Sequence, residues 1–131
     1  MHDTVNHPRH YTNHPSGVEC IEITEWLGFA LGNAFKYLFR RGHKGKLNED
    51  LEKALWYLKR ERAREKAWVE EAPEEVVEGL RAKVTRIVGY EPTFIGAAMS
   101  HILEAYYGPD TFADLDKAIL YVGREIERVR E

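Results

Sequence analysis

The chain has 131 residues, 44% hydrophobic and 31% charged, with a net charge of −3 at pH 7. That is enough to close one hydrophobic core unaided, and a single cysteine, Cys20, excludes an internal disulfide framework. No apolar run approaches the roughly 20 residues of a membrane span and the N-terminus does not read as a signal peptide, so the expectation is a cytoplasmic protein with no membrane partner.

Residues 1–17, MHDTVNHPRHYTNHPSG, carry two prolines, His2, His7, His10 and His14, and no apolar period, which predicts an extended arm. Val18, Ile21, Trp26 and Leu27 then predict a short helix ended near Gly28, with Cys20 as a buried structural thiol. Leu31, Ala34, Phe35, Leu38 and Phe39 define the apolar side of a second helix, stopped at Gly42. After the loop GHKGKL, Asn48 is the expected N-cap of a third helix, with Leu51, Ala54, Leu55 and Leu58 inward and its end near Lys66. Pro73 starts a fourth helix reaching about Val88, and Thr93 starts a fifth that closes at Gly108 and Pro109. Thr111 with Asp114 resembles a capping box for the sixth, whose inward set is Leu115, Ala118, Ile119, Val122, Ile126 and Val129. No segment alternates as a strand does. The expected fold is all-α, in one domain over 1–131: an arm (1–17), a first helical unit (18–66) and a second, degenerate unit (67–131).

Two stretches align without a gap at an offset of 64 residues: GNAFKYLFRRGHKGKLNEDLEKALWYLKR from Gly32 and GAAMSHILEAYYGPDTFADLDKAILYVGR from Gly96. Each reads as a helix, a Gly-containing loop and a longer helix. One such hairpin cannot bury its apolar stripe alone, so two are expected to pack face to face as a pseudo-repeated bundle. Glutamine is absent and Arg and Glu abound, a bias that fits a heat-adapted source.

Charge separates the two copies. Residues 36–66 hold 11 Lys or Arg against 5 Asp or Glu, a local +6, which leaves −9 for the remainder. Such a split points to one anionic ligand at a defined place, not to a nucleic-acid coat. Lys36, Arg40, Arg41, His43 and Lys44 face Ser100, Glu104, Ala105, Tyr107 and Gly108 in the second copy. Lys36 and Arg40 share a helical face, and Arg41, His43 and Lys44 surround its end, offering charge-assisted donors to phosphate. A solvated surface with cations favoured at a helix C-terminus is the competing reading. Trp56 either stacks on a base or belongs to the core or an interface. Asp50 either caps its helix, pairs with Arg40 or holds a metal, and the recurrence of Asp114 favours capping. Lys53, Tyr57, Arg60 and Arg64 recur in the second copy and read as partly structural. The arm lays His7, His10 and Tyr11 across a ligand site or serves as a strap; its histidines form no complete metal set. Excess Trp, Tyr and Phe suggest a homo-oligomer.

The stretches VNHPRHY, ECIE, GNAFKYLFR and EDLEKALWYL resemble a small bacteriophage family of unknown-function domains often labelled nucleotide kinases. The resemblance covers about the first 60 residues. It implies a nucleotide-handling protein of the host cytoplasm, and the label implies transfer of phosphate from a nucleoside triphosphate with Mg²⁺ to a deoxynucleoside monophosphate. Carried over by motif, its site residues are His7, His10, Tyr11, Asn33, Lys36, Tyr37, Arg40, Lys44, Asp50 and Trp56. Lys36, Arg40 and Lys44 would neutralise phosphate, and Asp50 would hold Mg²⁺ or take the acceptor proton. A non-enzymatic sponge for a nucleotide signal is the alternative. An all-α pyrophosphohydrolase ranks below both, because it wants paired carboxylates on facing helices.

Overall fold

Apolar side chains at helical spacing account for the five longer helices observed. The computed structural model describes residues 13–43, 45–64 and 71–130. Among these the protein is all-helical: α1 (Ile21–Thr24), α2 (Phe29–Arg40), α3 (Leu47–Arg62), α4 (Glu74–Val88), α5 (Thr93–Tyr107) and α6 (Thr111–Arg130). His7, His10, Tyr11 and Lys44 lie outside the described residues. The third helix ends at Arg62, with Ala63 at its C-cap, short of the expected Lys66.

The hairpins α2–α3 and α5–α6 pack on each other, α2 against α5 and α3 against α6. The pairs Arg62–Asp116 at 2.8 Å and Arg130–Glu52 at 3.0 Å show that α3 and α6 run antiparallel. The expected offset of 64 reappears in the helix starts, Phe29 against Thr93 and Leu47 against Thr111. It reappears in burial as well. Leu31/Ile95, Ala34/Ala98, Phe35/Met99, Leu38/Ile102, Leu51/Leu115, Ala54/Ala118 and Leu58/Val122 are all buried. The buried acids Glu61 and Glu125 stand 64 apart too, each bridged to the arginine three residues on.

Helix α4 packs on α5 and on α1, which rests in turn on α2. The α4–α5 approach is close: a Cβ at Gly96 would stand 2.8 Å from Val88 Cγ1, so glycine is the residue that fits. The N-terminal stretch is tied to α4 by Arg86, whose Nη2 donates to the Ser16 carbonyl at 2.7 Å. Val18, Cys20 and Ile23 enter the core behind it.

Three local expectations are corrected. The first helix is a single turn, not a run from Val18 to Leu27, because most of its apolar residues sit in the turns around it. Asn48 lies inside α3, whose N-cap position is Lys46, without a side-chain capping bond. The start of α6 is capped by Asp110, whose Oδ1 accepts the Ala113 amide at 3.1 Å. Thr111 is the first helical residue, and Asp114 turns instead to His101 Nδ1 at 2.8 Å.

Candidate functional site

Outward positions on α2 and α3 recur every three or four residues, so Tyr37, flanked on its own helix by Lys36 and Arg40, meets Lys53 and Tyr57 across the hairpin. The Tyr37 and Tyr57 rings stack at 6.0 Å with 13° between their planes, and Trp56 and Phe29 stand edge-on to Tyr57 at 5.0 and 6.0 Å. Phe29 is 80% exposed and Trp56 60%, so the core reading of Trp56 is excluded: the indole lies on the surface of an aromatic cluster. Around Tyr37 gather three cations. Lys36 Nζ lies 4.6 Å, Lys53 Nζ 5.4 Å and the Arg40 guanidinium 5.7 Å from the ring centre, all within cation–π range.

The electrostatics agree with that geometry. Glu49 hydrogen-bonds Lys53 at 2.9 Å, and this bond, with the charges of Lys53, Lys46 and Arg40, holds its carboxyl below the ordinary range. Lys53 is raised in turn, first by its bond to Glu49. Lys36 makes no ion pair among the described residues. Beside it, a notch of about 210 Å³ runs between the α1–α2 turn and α2, lined by Phe29, Gly32, Asn33 and Lys36. The Asn33 amide donates to the Phe29 carbonyl at 2.8 Å, which fixes its orientation.

Asp50 does something else. It is buried at 3% exposure and its Oδ2 accepts the Gly42 amide at 3.0 Å, closing the α2–α3 loop over the start of α3. Capping of its own helix is therefore corrected to pinning of the preceding loop. Gly42, at φ 77°, gives the backbone the left-handed turn that aims its amide at Asp50.

Arg41 leaves the group formed by its neighbour. Its Nη2 meets Glu91 Oε2 at 2.6 Å and its Nη1 donates to the Leu38 carbonyl at 3.0 Å. Glu91 Oε1 accepts from His14 Nε2 at 2.6 Å, and the Ser16 amide donates to His14 Nδ1 at 3.1 Å. His14 Nδ1 also lies 2.8 Å from Ser16 Oγ, so the ring is held at both of its nitrogens. Consecutive residues at the end of α2 thus point to different sides: Arg40 to the aromatic face, Arg41 to a cleft at the α4–α5 turn.

The second hairpin keeps the ring pair and Lys117, the counterpart of Lys53, but has Ser100 and Glu104 in place of Lys36 and Arg40. His101 stacks on Tyr121 at 5.8 Å and 7°, as Tyr37 does on Tyr57. At the position matching Arg40 stands Glu104, bound by Arg81 Nε at 2.7 Å. Sequence reasoning set Lys53 and Tyr57 aside because both recur as Lys117 and Tyr121. Their spacing of four from Glu49 and Lys53 was the available signal, but the convergence on Tyr37 needed the fold.

Fold and face together define an all-α bundle of two helical hairpins, one of which carries a cation-ringed aromatic surface. Residues 5–59, under half of the chain, match the sequence profile of a family of proteins of unknown function, DUF3310. Neither a curated protein nor a solved structure matched the chain. No described helix is long and apolar enough to cross a membrane.

Proposed function

We propose that the protein binds a nucleotide on the outer face of the α2–α3 hairpin. The observation that carries this reading is the convergence of Lys36, Arg40 and Lys53 on the Tyr37 ring, with Glu49 the carboxylate bonded to Lys53. Phosphate is the anion that several converging cationic donors suit. The Tyr37–Tyr57 stack and the exposed Phe29 and Trp56 supply ring faces for a base, each worth about 1–3 kcal/mol when stacked. The two hairpins are, in this reading, copies of one unit, the first bearing the ligand and the second serving as scaffold.

Sequestration is favoured over phosphoryl transfer, because the carboxylate assigned to catalysis, Asp50, is buried and committed to the Gly42 amide. The kinase reading keeps its support from the motif resemblance, with a nucleoside triphosphate and Mg²⁺ as its co-substrates. His7, His10, Tyr11 and Lys44 belong to the proposal through that resemblance, as do the phage origin and the host cytoplasm.

One experiment separates the readings. The protein is incubated with ATP, Mg²⁺ and the four deoxynucleoside monophosphates, and binding is measured in parallel by calorimetry. Stoichiometric binding without product marks a sponge, and formation of diphosphate marks a kinase. Absence of binding to any mono-, di- or triphosphate ends the nucleotide reading altogether.

A further inference from the structure

On the other side of the same hairpin lies a larger cleft, about 460 Å³, between the N-terminal segment, the α2–α3 loop and the α4–α5 turn. That is the size of a small-molecule pocket. Its charges cancel within its own walls. Both oxygens of Glu91 are taken, one by His14 Nε2 and one by Arg41 Nη2, each at 2.6 Å. Both oxygens of Glu125 are taken by Arg128, at 2.6 and 3.0 Å. The Glu91 and Glu125 side chains are 4% and 3% exposed, so the two acids form a buried floor, each neutralised by an arginine: Glu91 by Arg41 beside it, and Glu125 by the 57% exposed Arg128 at the rim.

Besides Arg128, already paired with Glu125, and His43, what remains open to a ligand is flat and uncharged. Tyr90 is 61% exposed and stands edge-on to His14 at 6.2 Å, while His14 lies on Phe39 at 4.9 Å. Pro15 and Pro92 also line the cleft, and the exposed Asn13 amide there can both donate and accept. A polyanion finds no excess positive charge among these paired groups, whereas a planar heterocycle finds ring and proline faces and an amide to read its edge.

We infer that this cleft is a second binding site, for an uncharged planar heterocycle of nucleobase or nucleoside size. The ligand is either a free nucleoside or the base of a nucleotide whose phosphate stays in solvent. The inference stands on Tyr90, the prolines and the neutralised floor, and does not require the outer-face reading.

The test titrates the whole protein with each of four deoxynucleosides, their 5′-monophosphates and inorganic phosphate, followed by ¹H–¹⁵N NMR and calorimetry. The expected result is that a deoxynucleoside shifts the amides of Gly42, Tyr90 and Glu91 and not those of Asn33 and Tyr37. Tyr90→Ala then weakens nucleoside binding about tenfold, the scale of one lost stack, while Tyr90→Phe and Ser100→Ala retain it. If Tyr90→Ala does not fold, the shift map of the unmodified protein decides. No deoxynucleoside shift at millimolar concentration, shifts confined to the outer face, or full binding by Tyr90→Ala overturns the inference. Monophosphate shifts at Asn33 and Tyr37 without nucleoside shifts in the cleft sink this site and leave the outer face standing; the reverse pattern sinks the outer face alone.

Discussion

Lys36 and Arg40 are one helical turn apart and meet over a single ring, so each would contribute a charge-assisted contact to a bound phosphate. Replacing either by alanine is expected to weaken nucleotide binding about tenfold, the ~1.5 kcal/mol of one such bond, with Ser100→Ala as the unaffected counterpart. Calorimetry on the three variants checks this, and equal losses at both hairpins would contradict the asymmetry. Cys20 behaves differently: burial pushes its thiol from 9.0 up to about 12, and the charge of Lys36 opposes this only in part. The folded thiol therefore stays neutral while the unfolded one ionises above 9.0. Its contribution to stability is complete below that pH and is lost as pH rises towards 12. Thermal melts across that range should fall less steeply for Cys20→Ala than for the parent protein, and the native thiol should resist alkylation.

At the level of elements, the α2–α3 loop is held by one backbone turn and one carboxylate. Gly42→Ala places a side chain at φ 77°, and Asp50→Ala leaves the Gly42 amide without its acceptor. Each change should cost on the order of 1–3 kcal/mol in urea unfolding. Combined, the two changes should cost less than their sum, because both break the same bond. Were Asp50 a metal ligand rather than a loop pin, stability would be untouched by Asp50→Ala and would rise on adding Mg²⁺. The hairpins also show why helix ends were harder to read than helices. Proline punctuation and apolar spacing marked α4 from Pro73 directly, whereas the start of α6 depended on Asp114 turning to His101 and leaving the cap to Asp110.

Across the whole molecule, charge is divided: +6 within residues 36–66 and −9 over the rest. Attraction of a phosphate to the basic hairpin should be screened as the Debye length shortens from about 10 Å at 0.1 M salt to about 3 Å at 1 M. Nucleotide affinity should accordingly fall with ionic strength, whereas nucleoside binding in the charge-balanced cleft should stay nearly level. Calorimetry at three salt concentrations measures both. The cleft's floor is itself a fold-wide joint, linking the N-terminal segment, the end of α2 and the α4–α5 turn through Glu91. Glu91→Ala strands Arg41 and should cost about 3 kcal/mol in urea unfolding, the scale of a broken buried pair.

By itself the sequence determined the all-α class, the placement of α2 to α6, the buried thiol and the 64-residue offset between hairpins. These follow from apolar period, proline and glycine punctuation and local composition, all of which act over a few residues. It also marked Lys36 and Arg40, because their spacing alone puts them on one helical surface, while Tyr37 entered through the motif resemblance. Tertiary structure alone decided that Arg40 and Arg41 part company, that Lys53 and Tyr57 join the face, and that Asp50 grips a loop. It likewise built the cleft, whose walls come from His14, Arg41, Tyr90 and Arg128. The reason is that a side chain's partner across the bundle depends on how helices far apart in the chain are packed, and no local pattern encodes that pairing.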